Sequence, residues 1–377
     1  MKFKKILMIG GMPIGDKVGG GDIASYSLAR ALIDMGTDIE YVAVPPKGYR
    51  IESSEDFIRA GAETIISQAL EGAKRLPDGT IVHIHASHDT QGYMLGYTIN
   101  KIIYNNIKLI IHVLAPKVYS FPRSPIEIFS IFSGKYSDLV FALSEYSKEN
   151  IHRSYGIPLD NIGVSYLGVE ESFLKVPIVR KKEKKSTLLF VGRIGDRKNQ
   201  KGLDVLLESM PSILKEKDVS LRIVGPGRIE SYASTAKKLA LSEKIRFLGF
   251  MRHEDLFREY SAADMFVFPS RRESFGLVLA EAMALGLPIV STLSGAIPEV
   301  VQDGENGILV PPDNPEELAK AVISLLDSPD KMDEMSRKGR ERVELDFTWK
   351  KAAERVLNCY KELIDAPASA KGDIHGH

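Results

Sequence analysis

The sequence predicts an α/β protein built from two doubly wound parallel-sheet domains, and three observations carry that expectation. Short apolar runs alternate with segments of helical period, the pattern of stacked strand and helix units rather than a barrel of eight. The alternation breaks at Val179-Arg180-Lys181-Lys182-Glu183-Lys184-Lys185, too charged to pack as a strand and read as a linker. At 377 residues the chain is long for one core and suits two. The expected domains are residues 1–172 and 187–345, with 173–186 between them.

In the first half, apolar runs place strands at 5–10, 39–44, 81–85, 109–113 and 139–143, with helices such as 23–35 and 56–75 between them. The second half continues with strands at 188–191, 221–224, 245–248, 265–268, 289–291 and 308–310. Phe266-Val267-Phe268-Pro269-Ser270 reads as a buried strand ending at Pro269, and a helix begins at Gly276 and stops at Gly286-Leu287-Pro288. A last helix spans 349–364, and 367–377 reads as disordered.

Composition narrows the function classes. Hydrophobic content of 44% and charged content of 27% are those of a soluble globular protein. Lys plus Arg and Asp plus Glu are 50 each, so no charge excess points to nucleic acid. The single Cys359 excludes an internal disulfide and a cysteine zinc site, and fits a reducing cytoplasm. The apolar run at residues 6–9 is too short for a membrane span or a signal core. A dinucleotide fingerprint is missing after the first strand, which runs Gly10-Gly11-Met12-Pro13-Ile14-Gly15, so a nicotinamide enzyme is disfavoured.

The stretch Glu273-Ser274-Phe275-Gly276-Leu277-Val278-Leu279-Ala280-Glu281 sets one carboxylate just outside a helix N-terminus and another inside the helix. The helix's first N–H groups and positive dipole end face whatever lies beyond the strand's carboxyl end, a place suited to a diphosphate. Read singly, Glu273 and Glu281 are also compatible with a helix-end charge and a solvated face.

This stretch resembles the signature of glycosyltransferase family 4, in which two Glu with seven residues between them sit in the nucleotide-sugar site. The resemblance runs from Phe190-Val191-Gly192-Arg193-Ile194 through Lys201-Gly202, Ile223-Val224-Gly225-Pro226-Gly227, Phe247-Leu248-Gly249 and Ala262-Ala263-Asp264. It continues to Gly295-Ala296-Ile297-Pro298-Glu299-Val300 and Asn306-Gly307-Ile308-Leu309-Val310-Pro311. It implies the GT-B architecture, two Rossmann-like domains facing across a cleft, with the last helix crossing back to the first domain. It also implies sugar transfer from a nucleoside diphosphate sugar to a hydroxyl acceptor with retention of configuration. A nucleotide-sugar epimerase or hydrolase and a non-catalytic sugar-nucleotide binder are the alternatives. Peripheral membrane contact would follow from a lipid acceptor, and no cofactor is implied.

Roles follow for particular residues. Arg193 and Lys201 would neutralise the leaving diphosphate. The lengthened loop Gly195-Asp196-Arg197-Lys198-Asn199-Gln200 makes Lys198 a competitor; Lys201 is preferred because Lys-Gly directly precedes Leu203-Asp204-Val205-Leu206. Glu281 would accept the ribose hydroxyls, Glu273 would lie near the donor sugar, and the N–H groups of Phe275, Gly276 and Leu277 would bind the diphosphate. Gly225 and Gly227 would lie beside the nucleoside, and Gly20 and Gly21 in the loop over the donor. His112 stands where the family has Thr-x-His and would be catalytic, donating to a donor-sugar hydroxyl or backbone near the reaction centre, although Ile110 replaces the Thr; His85 resembles a second family His, and His83 reads as core. His83 and His85 are expected on opposite faces of their strand, and as a metal pair they lack a third ligand. No Asp-x-Asp occurs, so no metal is expected at the reaction centre. Acceptor contacts are expected from 48–55 and 119–125, including Tyr119, Phe121 and Arg123.

Overall fold

The computed structural model describes residues 5–11, 20–44, 76–86, 90–114, 125–177, 185–195, 199–251 and 253–365. The expected helix 56–75, both acceptor loops except Pro125, most of the charged linker, Lys198 and the 367–377 tail lie outside them. The chain forms two units, Met1–Tyr166 with Trp349–His377, and Leu167–Thr348.

The first unit begins with β1 (Ile6–Gly11), α1 (Gly20–Asp34), β2 (Ile39–Val44) and β3 (Thr80–Ala86). It continues through α2 (Gln91–Tyr104), β4 (Ile107–Val113), α3 (Pro125–Tyr136), β5 (Leu139–Ala142), α4 (Glu145–Tyr155) and β6 (Ile162–Val164). These strands make one sheet in the order β2-β1-β3-β4-β5-β6, every pairing parallel. Because strand side chains alternate between faces, Val82 and Ile84 of β3 and Leu109 and Ile111 of β4 share one apolar core with Met94 and Tyr97 of α2. Strand β6 was not expected, since three residues are too few to give a period.

The second unit holds α5 (Glu171–Leu174), β7 (Ser186–Val191), α6 (Leu203–Glu216), β8 (Val219–Val224), α7 (Glu230–Lys238), β9 (Ile245–Gly249) and α8 (His253–Ala262). Then follow β10 (Met265–Phe268), α9 (Leu277–Ala284), β11 (Ile289–Thr292), α10 (Ile297–Val300), β12 (Gly307–Val310), α11 (Pro315–Leu326) and α12 (Pro329–Asp346). Its parallel sheet runs β12-β11-β10-β7-β8-β9. The sheet grows one way from β7 through β8 and β9, and the other way from β10, so the direction of winding reverses between β7 and β10. Ligands of open α/β sheets lie outside the strand ends at such a reversal.

Helix α13 (Trp349–Asp365) closes the chain and packs along α1 in the first unit. Its buried stripe, Trp349, Ala352, Ala353, Val356, Leu357 and Tyr360, repeats at helical spacing. Tyr360 is the member that reaches the polar side chains of β3.

Candidate active site

The loops after β7 and β10 meet at the reversal of the second sheet, and each delivers one charge. Gly202 ends the β7 loop with φ 68, and a Cβ there would stand 1.8 Å from the Pro269 carbonyl oxygen. That close approach sets Lys201 against the β10 loop, where its Nζ donates to Glu273 Oε2 at 2.5 Å. The ammonium also lies 5.5 Å from the Phe268 ring centroid. The pair is three-quarters or more removed from solvent, with side chains 25% and 14% exposed. Arg193, on the same loop as Lys201, is exposed and makes no ion pair among the described residues.

Sequence reasoning missed the clamp that holds these loops. Arg271 donates to both Asp204 carboxylate oxygens at 2.7 and 2.9 Å, to the Asn199 carbonyl at 2.6 Å and to Asp313 at 2.5 Å. The Ser270 hydroxyl donates to the Gln200 carbonyl, and the Ala296 N–H to the Glu273 carbonyl at 3.0 Å. A planar guanidinium with fixed donors suits such a joint between two loops. The only signal available beforehand was the Arg271-Arg272 pair just before the motif.

Helix α9 starts at Leu277, one residue later than expected, with Gly276 as its cap in the left-handed region. The Leu279 N–H bonds to the Gly276 carbonyl at 2.8 Å, while the N–H groups of Leu277 and Val278 before it have no partner within the helix. Phe275 is 1% exposed and packs edge-on against Phe347 at 5.5 Å, so its side chain anchors the turn. Glu281 lies in the helix's second turn and accepts a hydrogen bond from the Tyr260 hydroxyl at 3.0 Å. Burial pushes its carboxyl up to about 7, with the Tyr260 hydrogen bond pulling the other way. Nothing in the sequence marked Tyr260 as its partner.

Gly225 and Gly227 have a reason apart from any ligand. A Cβ at either would stand within 2 Å of a carbonyl oxygen, that of Gly192 at 1.9 Å and that of Ile194 at 1.8 Å. The β7 and β8 ends are laced here by Gly192 N–H to the Val224 carbonyl and Ile194 N–H to the Pro226 carbonyl, at 3.0 and 2.9 Å. The glycines let the Arg193 loop lie directly on the turn after β8.

In the first unit, Gly20 and Gly21 form the first turn of α1; residues 12–19 before them are outside the described set. His83 and His85 occupy the same face of β3, correcting the expectation that they point to opposite sides. Residues two apart on a strand share a face, and their rings stack at 4.8 Å and 11°. His112 of β4 stands opposite His85 in register, with ring centroids 4.6 Å apart. All three rings are 1% exposed or less. The His83 Nδ1 meets the Tyr360 hydroxyl at 2.5 Å, while five other ring nitrogens, both of His85, both of His112 and Nε2 of His83, have no hydrogen-bond partner among the described residues. Burial holds all three imidazoles neutral, taking His112 down to about 3. In this conformation the His112 ring is closed off from a sugar. A buried polar group left unpaired costs about 1–3 kcal/mol.

Residues 185–328 match the family Glycosyl transferases group 1. The chain is 30% identical over 256 residues to an uncharacterized glycosyltransferase of Methanocaldococcus jannaschii, 65% of each chain. It is 35% identical over 169 residues to a GDP-mannose-dependent monoacylated alpha-(1-6)-phosphatidylinositol monomannoside mannosyltransferase of Corynebacterium glutamicum, 42% of this chain and 43% of that one. It therefore spans less than two thirds of the length of either relative. Among solved structures, Anabaena HepE with UDP and glucose superposes with TM-score 0.71 at 17% identity, covering 95% of this chain and 99% of that one. A glycosyltransferase from Rickettsia africae gives TM-score 0.74 at 21% identity, covering 97% and 100%. No described helix is long and apolar enough to cross a membrane. The chain has the GT-B fold of two Rossmann-like domains, and the second of them carries the stretch that is similar to group 1 glycosyltransferases.

Proposed function

We propose that the protein is a retaining glycosyltransferase that moves a sugar from a nucleoside diphosphate donor to a hydroxyl acceptor. The observation that carries this reading is the Lys201–Glu273 pair, held at the sheet reversal beside the N-terminus of α9. The donor diphosphate lies against the first N–H groups of α9, where the helix dipole favours an anion. Lys201 and the exposed Arg193 neutralise the charge that builds on it, and Glu281 accepts the ribose hydroxyls. Glu273 orients Lys201 and faces the donor sugar.

In the reaction, the bond from the anomeric carbon to the diphosphate oxygen breaks while the acceptor oxygen bonds to the same face of that carbon. The acceptor proton passes to the departing phosphate oxygen, so no protein base is required. Positioning and fixed charge carry the acceleration. His112 is closed off in the described conformation, so the reaction is assigned to the residues of the second unit. Support for the donor class comes from the relatives, one named for GDP-mannose and another solved with UDP.

The test is calorimetry with UDP, GDP and ADP, followed by turnover of the sugar nucleotide of the tightest base with a pool of glycan, lipid and small hydroxyl acceptors. Acceptor-dependent release of the nucleoside diphosphate, with the anomeric configuration kept in the product, is expected. Epimerised or free sugar without acceptor, or saturable binding with no turnover, would replace this reading with one of its rivals.

A further inference from the structure

We propose that His83, His85 and His112 form a trihistidine site for a late first-row transition ion, with Zn2+ as the probe. The strand geometry builds the site. His83 and His85 are two apart on β3 and so share a face, and His112 is the register partner of His85 on β4. One ring nitrogen from each lies within 4.8 Å of the others. Two imidazoles from one strand and a third from its neighbour give the three-nitrogen donor set that zinc accepts while keeping a fourth position for water. Neutral nitrogen donors favour zinc, copper or nickel over magnesium or calcium, which take oxygen.

Two further observations separate this cluster from ordinary core packing. Tyr360 meets Nδ1 of His83 at 2.5 Å and leaves Nε2 of that ring without a partner, as an outer hydrogen bond does when it fixes a metal-ligating imidazole. Phe141 lies beside His83 and His112, and β4's Ile110 is fully buried. A slot this apolar is filled more stably by apolar side chains of similar volume, yet beside the one Tyr360 contact five ring nitrogens are buried in it without a hydrogen-bond partner among the described residues. The rings stack rather than converge, at 4.8 Å and 11° for His83 and His85. Binding therefore turns them about their Cβ–Cγ bonds until three nitrogens stand roughly 2.0–2.1 Å from the ion. The ion would tie β3 to β4, and its role is structural, since the leaving diphosphate is assigned to Lys201 and Arg193 of the second unit.

The experiment uses the full chain expressed in zinc-supplemented medium, rinsed briefly with EDTA, desalted and subjected to elemental analysis. The expected result is about one zinc per chain, because a buried nitrogen site exchanges slowly with chelator. His375 and His377 of the tail are the competing donors, so the His375→Ala/His377→Ala variant should keep its zinc while His85→Gln and His112→Gln lose it. A Co2+-loaded wild-type sample should show the visible bands of a tetrahedral nitrogen site, a readout that needs no variant to fold. Zinc absent from the wild type, or retained equally in folded His112→Gln, would overturn the proposal, as would an octahedral cobalt spectrum.

Discussion

Each unit holds ionisable side chains that burial keeps neutral, imidazoles in the first and a carboxyl in the second. In the first, three imidazoles are sealed between sheet and helix, and burial lowers their proton affinity. In the second, the Glu281 carboxyl sits in a partly closed place, and burial raises its proton affinity. One physical cause, the cost of charge away from water, thus acts with opposite sign on a base and an acid. The first unit should weaken in acid, and the second should weaken as the solution turns neutral.

The largest expected effect tests the acid arm. A histidine unfolded takes a proton near pH 6.5, whereas His112 resists until about 3, so its contribution is present above pH 6.5 and is lost progressively as pH falls toward 3. In zinc-free protein, His112→Phe should flatten the loss of stability across that window by about 1.4 kcal/mol per pH unit, one proton's worth. The single tryptophan, Trp349, lies in the first unit, so its fluorescence during urea unfolding reports the arm. An unchanged slope would mean that His112 is not held neutral.

The neutral arm comes next. Glu281 prefers its proton in the folded state up to about pH 7, against about 4.5 unfolded, so stability falls as pH rises between those values and the loss is complete above them. The span is on the order of 3 kcal/mol. Glu281→Gln should remove it, read as hydrogen exchange of α9 at pH 5 and pH 8. The same variant should weaken nucleoside diphosphate binding at pH 8 and abolish any rise in affinity between pH 6 and 8. A variant matching wild type in both would return Glu281 to a bystander.

Removing a leaving-group cation should be comparable. Lys201→Ala is expected to lower turnover by about 100-fold or more, the scale of a lost transition-state donor. His112→Gln should leave nucleoside diphosphate affinity near wild type, which sharpens the contrast between the units. A deep loss from Lys198→Ala with Lys201→Ala nearly intact would reassign the lysine.

A smaller effect is expected at the clamp. Arg271→Lys keeps the charge but loses the forked donors to Asp204, at a cost of about 1 kcal/mol in the second unit's stability. Turnover should drop with it, because the clamp fixes the loops that bring Lys201 to Glu273. The smallest effect is none: brief EDTA treatment should leave turnover unchanged, and loss restored by magnesium would contradict a metal-free reaction centre.

Much of the fold was legible because parallel strands here are continuous apolar runs. Met265-Phe266-Val267-Phe268 was read at the limits it shows, and Trp349 was placed as the start of the last helix. Strand β6 was not legible, since Ile162-Gly163-Val164 acquires its partner only when β5 lies beside it. The candidate site divides in the same way. Lys201, Glu273 and Glu281 were visible through their motif spacing, whereas Arg271 with Asp204 and Tyr260 with Glu281 pair residues that no local pattern links.

The sequence by itself determined the strand and helix alternation and the types and spacing of the residues around Glu273 and Glu281. These are local matters, set by periodicity, turn chemistry and side-chain class. Only the tertiary structure decided that the winding reverses between β7 and β10, which sets Lys201 against Glu273, 72 positions apart in the chain. Only the register of β3 on β4 brought His112 to His85, and only the returning α13 laid Tyr360 on His83. Strand order and register are fixed by the packing of whole apolar faces, a property of the assembled sheet that no single segment carries.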